Sequence, residues 1–225
     1  MEKQLLKSEI SCTIYKDTVA NPTSANIEEA KDLYLAHGCQ ALLAFGGGSS
    51  MDCAKAVGAR LARPNKPLAK MEGILKIWHK LPLLIAVPTT AGTGSEVDQW
   101  GVITNPETNE KIGFGGIDEL FPIIAVVDPE LMKTVPPRFT AYQGFDALFH
   151  STECYIAKCS NLMSDMYALT AIENIGNYLP RAVKDGNDIE AREHVALANT
   201  LSGVVMTLSS CTSEHSIEHA MSAYH

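Results

Sequence analysis

The sequence predicts a two-part protein: an α/β amino-terminal half with a mainly parallel sheet, followed by an all-α carboxyl-terminal half. In the first half, short continuous apolar runs alternate with helical patterns, which is typical of parallel strands covered by helices. In the second half, three long segments with 3.6-residue periodicity follow one another without a comparable apolar run. We therefore expect a dinucleotide-binding type of domain over residues 1–133 and a helical domain over residues 134–225.

The first elements are predicted from apolar spacing and from glycine stop signals. Ile10–Tyr15 has the composition of a strand, and Ala25–His37 has helical spacing and is followed by Gly38. Ala41–Phe45 is a continuous apolar run, which predicts a parallel strand buried on both faces. A helical pattern begins near Met51.

The later elements complete the alternation and then change its character. Leu83–Val87 and Ile123–Val127 are two more apolar runs of strand length. Beyond them, the helical segments are Phe139–Lys158, Leu162–Leu179, Asp188–Ser209 and the start of a further helix at Ser213–Ala223.

Composition excludes some classes of function. Hydrophobic residues make up 46% of the 225 residues, enough for a sizeable core, and the formal net charge of −8 disfavours nucleic acid and anionic membrane surfaces as partners. The longest apolar run, Leu81–Val87, is too short to span a bilayer, and the first ten residues lack the apolar core of a signal peptide. The six cysteines are irregularly spaced, so we expect reduced thiols in a cytoplasmic protein.

A glycine-rich turn follows the apolar run Ala41–Phe45. Three glycines, residues 46–48, precede Ser49 and a helical pattern, and such turns let the backbone approach an anion at the start of a helix. We expect Ser49 or Ser50 to cap this helix, with Asp52 placed as in a capping box. The turn predicts a pyrophosphate site, although the full dinucleotide fingerprint and the P-loop lysine are absent. A glycine turn without a ligand remains the alternative.

A second turn, PTTAGTGSE at Pro88–Glu96, follows the apolar run Leu83–Val87. In open α/β sheets, ligands bind at the carboxyl ends of the strands. A loop held together by its own hydroxyl groups is the alternative. The hydroxyl residues expected to bond phosphate, ribose or an amide are Thr89, Thr90, Thr93 and Ser95.

Carboxylate and imidazole side chains recur at helical spacing in the second half. Asp146 and His150 lie four residues apart, on one helix face and within reach of one metal ion, and Glu153 continues that face. A hydrogen-bonded core histidine is the alternative for His150. His215 and His219 also lie four apart and fit the H-x-x-E-H zinc-protease motif, but that interpretation leaves both glycine turns without a role.

Taken together, five segments resemble the iron-containing (group III) alcohol dehydrogenases in order and spacing, over nearly the whole chain. They read GGGSSMDCAK, PTTAGTGSEV, VVDPEL, PPRFTAYQGFDALFHSTECYI and EHAMSAYH. The resemblance implies a dehydroquinate-synthase-like architecture with the active site between the two domains. It also implies hydride transfer between a primary alcohol or aldehyde and NAD or NADP, with a divalent Fe²⁺ or Zn²⁺ ion as Lewis acid.

The resemblance further implies roles for single residues. The metal of the family is held by one Asp and three His, and three of these ligands match Asp146, His150 and His219. The fourth, in a Pro-His-Gly motif, has no match here, and His225 is considered only as a makeshift ligand or proton relay. His215 does not match a family ligand. The implied cofactor contacts are Gly47, Gly48, Ser49, Asp52, Thr89, Thr90, Lys111 and Leu131.

Against the family pattern, the sequence looks shortened at both ends. The family strand that reads the adenosine ribose would precede KSEISCTIYKD, so NAD and NADP both stay open, as do Fe²⁺ and Zn²⁺. We expect a chain lacking one metal ligand to bind its metal weakly and to be a poor enzyme.

Other functions on a similar fold also stay open. They are a glycerol-phosphate dehydrogenase, a dehydroquinate-synthase-like enzyme, which PTTAGTGSEV argues against, and a non-catalytic nucleotide-binding remnant. We expect a small alcohol or aldehyde as substrate, no nucleic-acid or membrane partner, and a homo-oligomer.

Overall fold

The computed structural model describes residues 2–74, 76–106, 108, 110–116 and 119–222, and it contains an α/β half followed by a helical half. The elements of the first half are α1 (Glu2–Lys7), α2 (Ser24–Ala36), β1 (Ala41–Gly46), α3 (Gly48–Ala62), β2 (Leu83–Pro88), β3 (Trp100–Asn105), β4 (Glu110–Gly115) and β5 (Ile124–Ala125). The second half consists of α4 (Pro137–Ile156), α5 (Leu162–Lys184), α6 (Ile189–Leu208) and α7 (Ser213–Ser222). The division of the chain at residues 133 and 134 stays a prediction.

Strands β1, β2 and β5 form the predicted parallel sheet, with β2 in the middle. In the register of β1 and β2, Gly46 is opposite Pro88, so both glycine-containing turns leave the same edge of the sheet. The prediction of burial on both faces is wrong for the described chain. Ala44 is buried by α3, whereas Leu43 and Phe45 on the other face are 39% and 42% exposed.

A second, antiparallel sheet was not predicted. Strands β3 and β4 form a hairpin whose residues Ile103 and Phe114 are buried with Ile27 of α2 and Val57 of α3. Each strand has only a few apolar positions: β3 ends in Thr104 and Asn105, and β4 begins with Glu110 and Lys111. The apolar pattern was therefore too short to indicate a strand.

The predicted strand at Ile10–Tyr15 is also wrong. The described chain forms no strand ladder there, and Ile10 and Ile14 are about half exposed, so the apolar alternation buries no face. The predicted helix that follows is confirmed: α2 begins after a capping box at Thr23 and ends before Gly38, whose φ is +59°.

The four predicted helices of the second half are confirmed as α4 to α7. Asn161 caps α5 through a capping box, and Asp188 caps α6, which fixes where these helices begin. Their core contains Ala171, Ile175 and Val195. Among the described residues, no single helix is long and apolar enough for a membrane span. Only α6 and α7 taken together, a pair bent by 104°, have that length and composition. All six cysteines are free thiols.

Candidate active site

The glycine turn leads directly into α3, as predicted, but the helix begins at Gly48 and its N-cap is Gly47. The expectation that Ser49 or Ser50 caps this helix is therefore wrong. Ser49 instead accepts a hydrogen bond from the backbone N–H of Asn21, 3.3 Å away. Gly47 has no side chain to bond the first amides of α3, so this helix start keeps the character of an anion site.

The two turns at the sheet edge pack against each other. The N–H of Thr89 donates to the carbonyl oxygen of Gly46 at 2.9 Å. A Cβ at Gly47 would lie 3.3 Å from the Thr90 side chain, and one at Gly48 would lie 2.6 Å from Cγ2 of Thr93. The absence of side chains at both glycines therefore permits the close approach of the second turn.

Asn21, which was not predicted as a site residue, links two of the predicted cofactor contacts. Its backbone N–H bonds Ser49, and its side-chain oxygen accepts a hydrogen bond from Nζ of Lys111 at 3.3 Å. Asn21 has a φ of +55°, a left-handed conformation that asparagine tolerates better than most residues. The residue thus brings the hairpin strand β4 to the start of α3.

A buried ammonium group lies beneath the turns. Nζ of Lys55 is fully buried and donates to Oγ of Ser95, to Oδ1 of Asp98 at 2.7 Å and to two backbone carbonyls. Asp52 accepts hydrogen bonds from Ser95 and from the N–H of Val102. Burial raises the pKa of Asp52 to about 6, against the lowering effect of the Lys55 charge. Asp52 therefore contacts this network, not a capping-box amide.

The second turn also contacts the helical half. The side-chain oxygen of Asn199, on α6, accepts a hydrogen bond from the N–H of Gly94 at 2.9 Å, and its amide donates to Glu96 at 2.9 Å. Glu96 and Asn199 are both buried, and burial raises the pKa of Glu96. A Cβ at Gly203 would lie 2.4 Å from the carbonyl oxygen of Gly94, so the two backbones are in direct contact.

The predicted metal pair faces the same turn. Nε2 of His150 lies 3.7 Å from Oδ1 of Asp146, one helical turn away on α4. Nδ1 of His150 lies 3.3 Å from the carbonyl oxygen of Gly92, so Nδ1 carries the proton and Nε2 has a free lone pair. His150 is buried, and burial lowers its pKa, which keeps the ring neutral and able to bind a metal.

His215, which was not predicted as a metal ligand, contacts this pair. Its Nε2 lies 3.4 Å from Oδ1 of Asp146, and its ring stacks on that of His150 with centroids 4.3 Å apart. Its Nδ1 bonds the carboxylate of Glu153, which also accepts from Thr212 and from the N–H of Glu214. Burial would lower the pKa of His215, but its hydrogen bonds to Asp146 and Glu153 raise it to about 9. Glu153 therefore fixes where α7 begins.

His219 lies further out than His215. Its side chain is 42% exposed against 18% for His215, and the two rings are 6.2 Å apart, edge to face. Burial lowers the pKa of His219, and the positive charge of Lys111 lowers it further. His219 acts on Asp146 through its charge, whereas His215 contacts it.

Two other predicted site residues, Leu131 and His225, are not seen to join the site. Leu131 lies in a short 3₁₀ helix, Pro129–Met132, where its N–H donates to the carbonyl oxygen of Asp128. Among the described residues, no hydrogen bond joins it to either turn. His225 lies outside the described residues.

Known families match both halves of the chain. A family model described as "Iron-containing alcohol dehydrogenase" matches residues 1–129, and a second, described as "Fe-containing alcohol dehydrogenase family, C-terminal", matches residues 140–225. The chain belongs to the iron-containing alcohol dehydrogenases. The resemblance of the five sequence segments is thereby confirmed, and with it the α/β and all-α architecture.

Individual relatives and solved structures that the chain resembles support the same family. The chain is 38% identical to a choline dehydrogenase of Bacillus subtilis (strain 168), over 97% of this chain and 55% of the relative. It is 36% identical to an NAD-dependent methanol dehydrogenase of Bacillus methanolicus, over 96% of this chain and 56% of the relative. A crystal structure of a 1,3-propanediol oxidoreductase superposes with a TM-score of 0.95 at 32% identity, covering 99% of this chain and 58% of that one.

A second solved structure was determined with a cofactor. The sulfoacetaldehyde reductase of Bifidobacterium kashiwanohense, in complex with NAD⁺, superposes with a TM-score of 0.84 at 32% identity. It covers 98% of this chain and 62% of that one. The chain thus spans a little over half the length of the curated relatives it matches.

Proposed function

We propose that this chain carries the nucleotide turns and part of the metal site of a metal-dependent alcohol dehydrogenase, which transfers a hydride between a primary alcohol or aldehyde and NAD(P). The observation that carries the proposal is the hydrogen bond between His150 and Gly92. It joins an imidazole, a common metal ligand, to the turn that we expect to hold the nucleotide. Hydride transfer needs the alcohol and the nicotinamide in contact, so the two sites must be neighbours.

The nucleotide side of the proposal rests on the two turns at the sheet edge. The uncapped start of α3 suits a pyrophosphate, with Gly47, Gly48 and Ser49 at the phosphates. Thr89 and Thr90 lie beside these glycines. Lys111 is held towards the same place through Asn21, and Leu131 is the remaining proposed contact. When bound, the nicotinamide supplies the acceptor or donor of the hydride.

Asp52 and Lys55 support this side without facing it. Asp52 accepts from Ser95 and Val102, and Lys55 donates to Ser95 and Asp98. These bonds tie α3 to the second turn and to the chain that follows it. We therefore assign Asp52 a positioning role at the cofactor site.

The metal side fits a divalent ion on the chemistry of its donors. Asp146 offers a carboxylate oxygen and His150 an unprotonated Nε2, and the hydrogen bond of Nδ1 to Gly92 is the outer contact that metal-ligating histidines commonly make. His219 on α7 is the third proposed ligand. When bound, an Fe²⁺ or Zn²⁺ ion supplies Lewis-acid stabilisation of negative charge on the alcohol oxygen.

The chain's own residues set the orientation and the charge at this site. The bond to Gly92 holds His150 in one tautomer, with Nε2 towards Asp146. Burial would raise the pKa of Asp146, but the hydrogen bond from His215 and the charges of nearby histidines hold it below its usual value. Asp146 therefore stays ionised and keeps a negative charge for a cation at neutral pH.

The finer assignments follow from the named relatives. Methanol, 1,3-propanediol and choline dehydrogenases suggest a small primary alcohol, with the corresponding aldehyde as product. We propose NAD and iron as first candidates, with NADP and zinc as alternatives, and a homo-oligomer in the cytoplasm.

The test separates cofactor binding from chemistry. Oxidation of methanol, ethanol, 1,3-propanediol and choline is followed as NAD(P)H formation, with Fe²⁺ or Zn²⁺ added, in the wild type and in His150→Gln. NADH binding is measured in both by fluorescence. We expect slow alcohol-dependent NAD(P)H formation that His150→Gln abolishes, while NADH binding changes less than about threefold. NADH binding without turnover of any alcohol would contradict the dehydrogenase assignment, and absence of both would contradict the nucleotide site as well.

A further inference from the structure

Two cysteines from distant parts of the sequence meet in the helical half. Cys154 lies on α4 and is fully buried, and Cys211 is partly buried in the connection between α6 and α7. Cys154 belongs to an apolar cluster with Val205 and Met206 of α6, and Cys211 packs against that cluster. The two thiols are hydrogen-bonded to each other, and this contact, together with burial, raises the pKa of Cys211. The two sulfur atoms are therefore neighbours in the reduced chain.

Hydrogen bonds on either side of Cys211 hold its segment against α4. The hydroxyl of Thr212 donates to the carboxylate of Glu153 at 2.9 Å, and the hydroxyl of Ser209 donates to the carbonyl oxygen of Cys154, also at 2.9 Å. A disulfide forms only where the two cysteine side chains already face each other. These contacts, together with the bond between the thiols, favour that arrangement.

The helix that follows Cys211 is only lightly attached to the rest of the chain. None of the described residues of α7 is buried. Its first turn is held by Glu153, which accepts a hydrogen bond from the N–H of Glu214 at 2.7 Å and bonds the ring of His215. A segment with so little buried surface opens more readily than a packed helix. A covalent link at Cys211 would therefore restrain the start of α7.

We propose that Cys154 and Cys211 form a reversible disulfide when the chain meets a peroxide, and that this bond ties the start of α7 to α4. Cys211 is the more accessible thiol. As a thiolate it attacks hydrogen peroxide, the O–O bond breaks, hydroxide leaves and a sulfenic acid forms. The sulfur of Cys154 then attacks that of Cys211, the S–O bond breaks and water leaves.

The balance of this reaction is simple. The two thiols lose two electrons and two protons, and one peroxide becomes two waters. Because the Cys211 thiolate is scarce at neutral pH, oxidation is slow and the pair stays reduced unless peroxide persists. The inference does not rest on the proposed function, since no nucleotide, alcohol or metal ion takes part.

Peptide mass spectrometry detects the link directly, because Lys158 and Arg192 let trypsin place Cys154, Cys159 and Cys211 on three separate peptides. The folded full chain is treated with hydrogen peroxide, free thiols are blocked with iodoacetamide, and the peptides are analysed without reduction. We expect the Cys154 and Cys211 peptides to be joined in the wild type, and to separate after dithiothreitol. The link should be lost in Cys154→Ser and kept in Cys159→Ser, the matched control at an exposed cysteine whose Sγ lies 3.7 Å from Oγ of Ser209.

Two further measurements use only the wild type, so they do not depend on the folding of a variant. Oxidation in concentrated urea should remove the preference for the Cys154–Cys211 link, because the fold creates the pair. Hydrogen exchange of the α7 amides should slow at least about threefold in the oxidised chain and recover after dithiothreitol.

Three results would overturn the proposal and leave the proposed dehydrogenase intact. The first is peroxide treatment that leaves both thiols free or stops at an oxidised acid of Cys211. The second is a link that joins Cys159 in place of Cys154, or one that forms equally well in urea. The third is unchanged hydrogen exchange in α7 of the linked chain, which would contradict the restraint on that helix.

Discussion

Nδ1 of His150 lies 3.3 Å from the carbonyl oxygen of Gly92, so a side chain of the proposed metal site is hydrogen-bonded to the turn proposed to hold the nucleotide. His150 comes from α4, and Gly92 follows β2. A Cβ at Gly92 would lie 3.0 Å from the backbone of Gln143, also on α4, which shows how closely the turn and the helix pack. The second turn and the helix that carries His150 are therefore in direct contact.

The glycine contact between α6 and the second turn is tested by a pair of alanine substitutions. In Gly203→Ala the new Cβ would meet the carbonyl oxygen of Gly94, so we expect a loss of about 1–3 kcal/mol in the free energy of unfolding. In Gly176→Ala, inside α5, the new Cβ meets nothing within 4 Å, and we expect a gain of up to about 1 kcal/mol. Urea unfolding measures both, and equal effects would contradict the proposed close contact.

The buried amide of Asn199 is expected to hold the two halves together. Asn199→Ala removes the acceptor for the N–H of Gly94 and the amide that donates to Glu96, both buried. We expect a loss of about 2–3 kcal/mol in the free energy of unfolding, because buried polar groups are left without partners. Asn174→Ala removes an exposed hydrogen bond to Thr170 and a part-buried one with His194, both inside the helical half, and serves as the control with an expected cost of about 1 kcal/mol. A similar cost for both variants would show that the contact across the halves adds nothing.

The ion pair of Lys55 and Asp98 is buried, so removal of one partner leaves an uncompensated charge. We expect Lys55→Met to cost about 3–5 kcal/mol, measured by chemical unfolding. Adding Asp98→Asn should restore part of this loss, because the neutral amide oxygen still accepts from the N–H of Trp100. If the second substitution makes the protein less stable still, the explanation by an unpaired charge is wrong.

The raised pKa of Asp52 predicts that the stability of the fold depends on pH. Its pKa is raised from 3.8 to about 6 in the folded chain, so the folded state keeps its proton to a higher pH than the unfolded state. Below about pH 4, the protonated Asp52 contributes its full share to the free energy of unfolding. As the pH rises to about 6, this contribution falls by about 3 kcal/mol. Stability curves from pH 4 to 7 for wild type and Asp52→Asn should differ by this slope. Parallel curves would mean that Asp52 has an ordinary pKa.

Much of the fold followed from local patterns in the sequence. The helices α4 to α7 and the parallel strands β1 and β2 were predicted because apolar spacing, caps and glycine stops are local signals. The hairpin β3–β4 was not predicted because its few apolar residues are buried by helices that are distant in the sequence. Ile10–Tyr15 has the composition of a strand without a pairing partner in the described chain.

The site was predicted less completely than the fold. Asp146 and His150 were predicted together because their spacing places them on one helix face, and the structure brings them to 3.7 Å of each other. His215 was not predicted as a site residue because it has no match among the family ligands, and its contact with Glu153, 62 residues earlier, leaves no local signal. Asn199 carried no local signal because its partners lie more than 100 residues away. The cap expected at Ser49 failed because Asn21 occupies that hydroxyl. Long-range hydrogen bonds leave no periodic pattern in the chain.

The most direct test of the account is the metal content of the purified chain. Elemental analysis follows incubation with Fe²⁺ or Zn²⁺ and desalting, for the wild type and for the double variant Asp146→Asn/His150→Gln, with circular dichroism to confirm folding. We predict that the wild type retains measurable metal and that the folded double variant retains almost none. Equal metal content in both proteins, or none in the wild type, would contradict the assignment of Asp146 and His150 as the metal-binding pair.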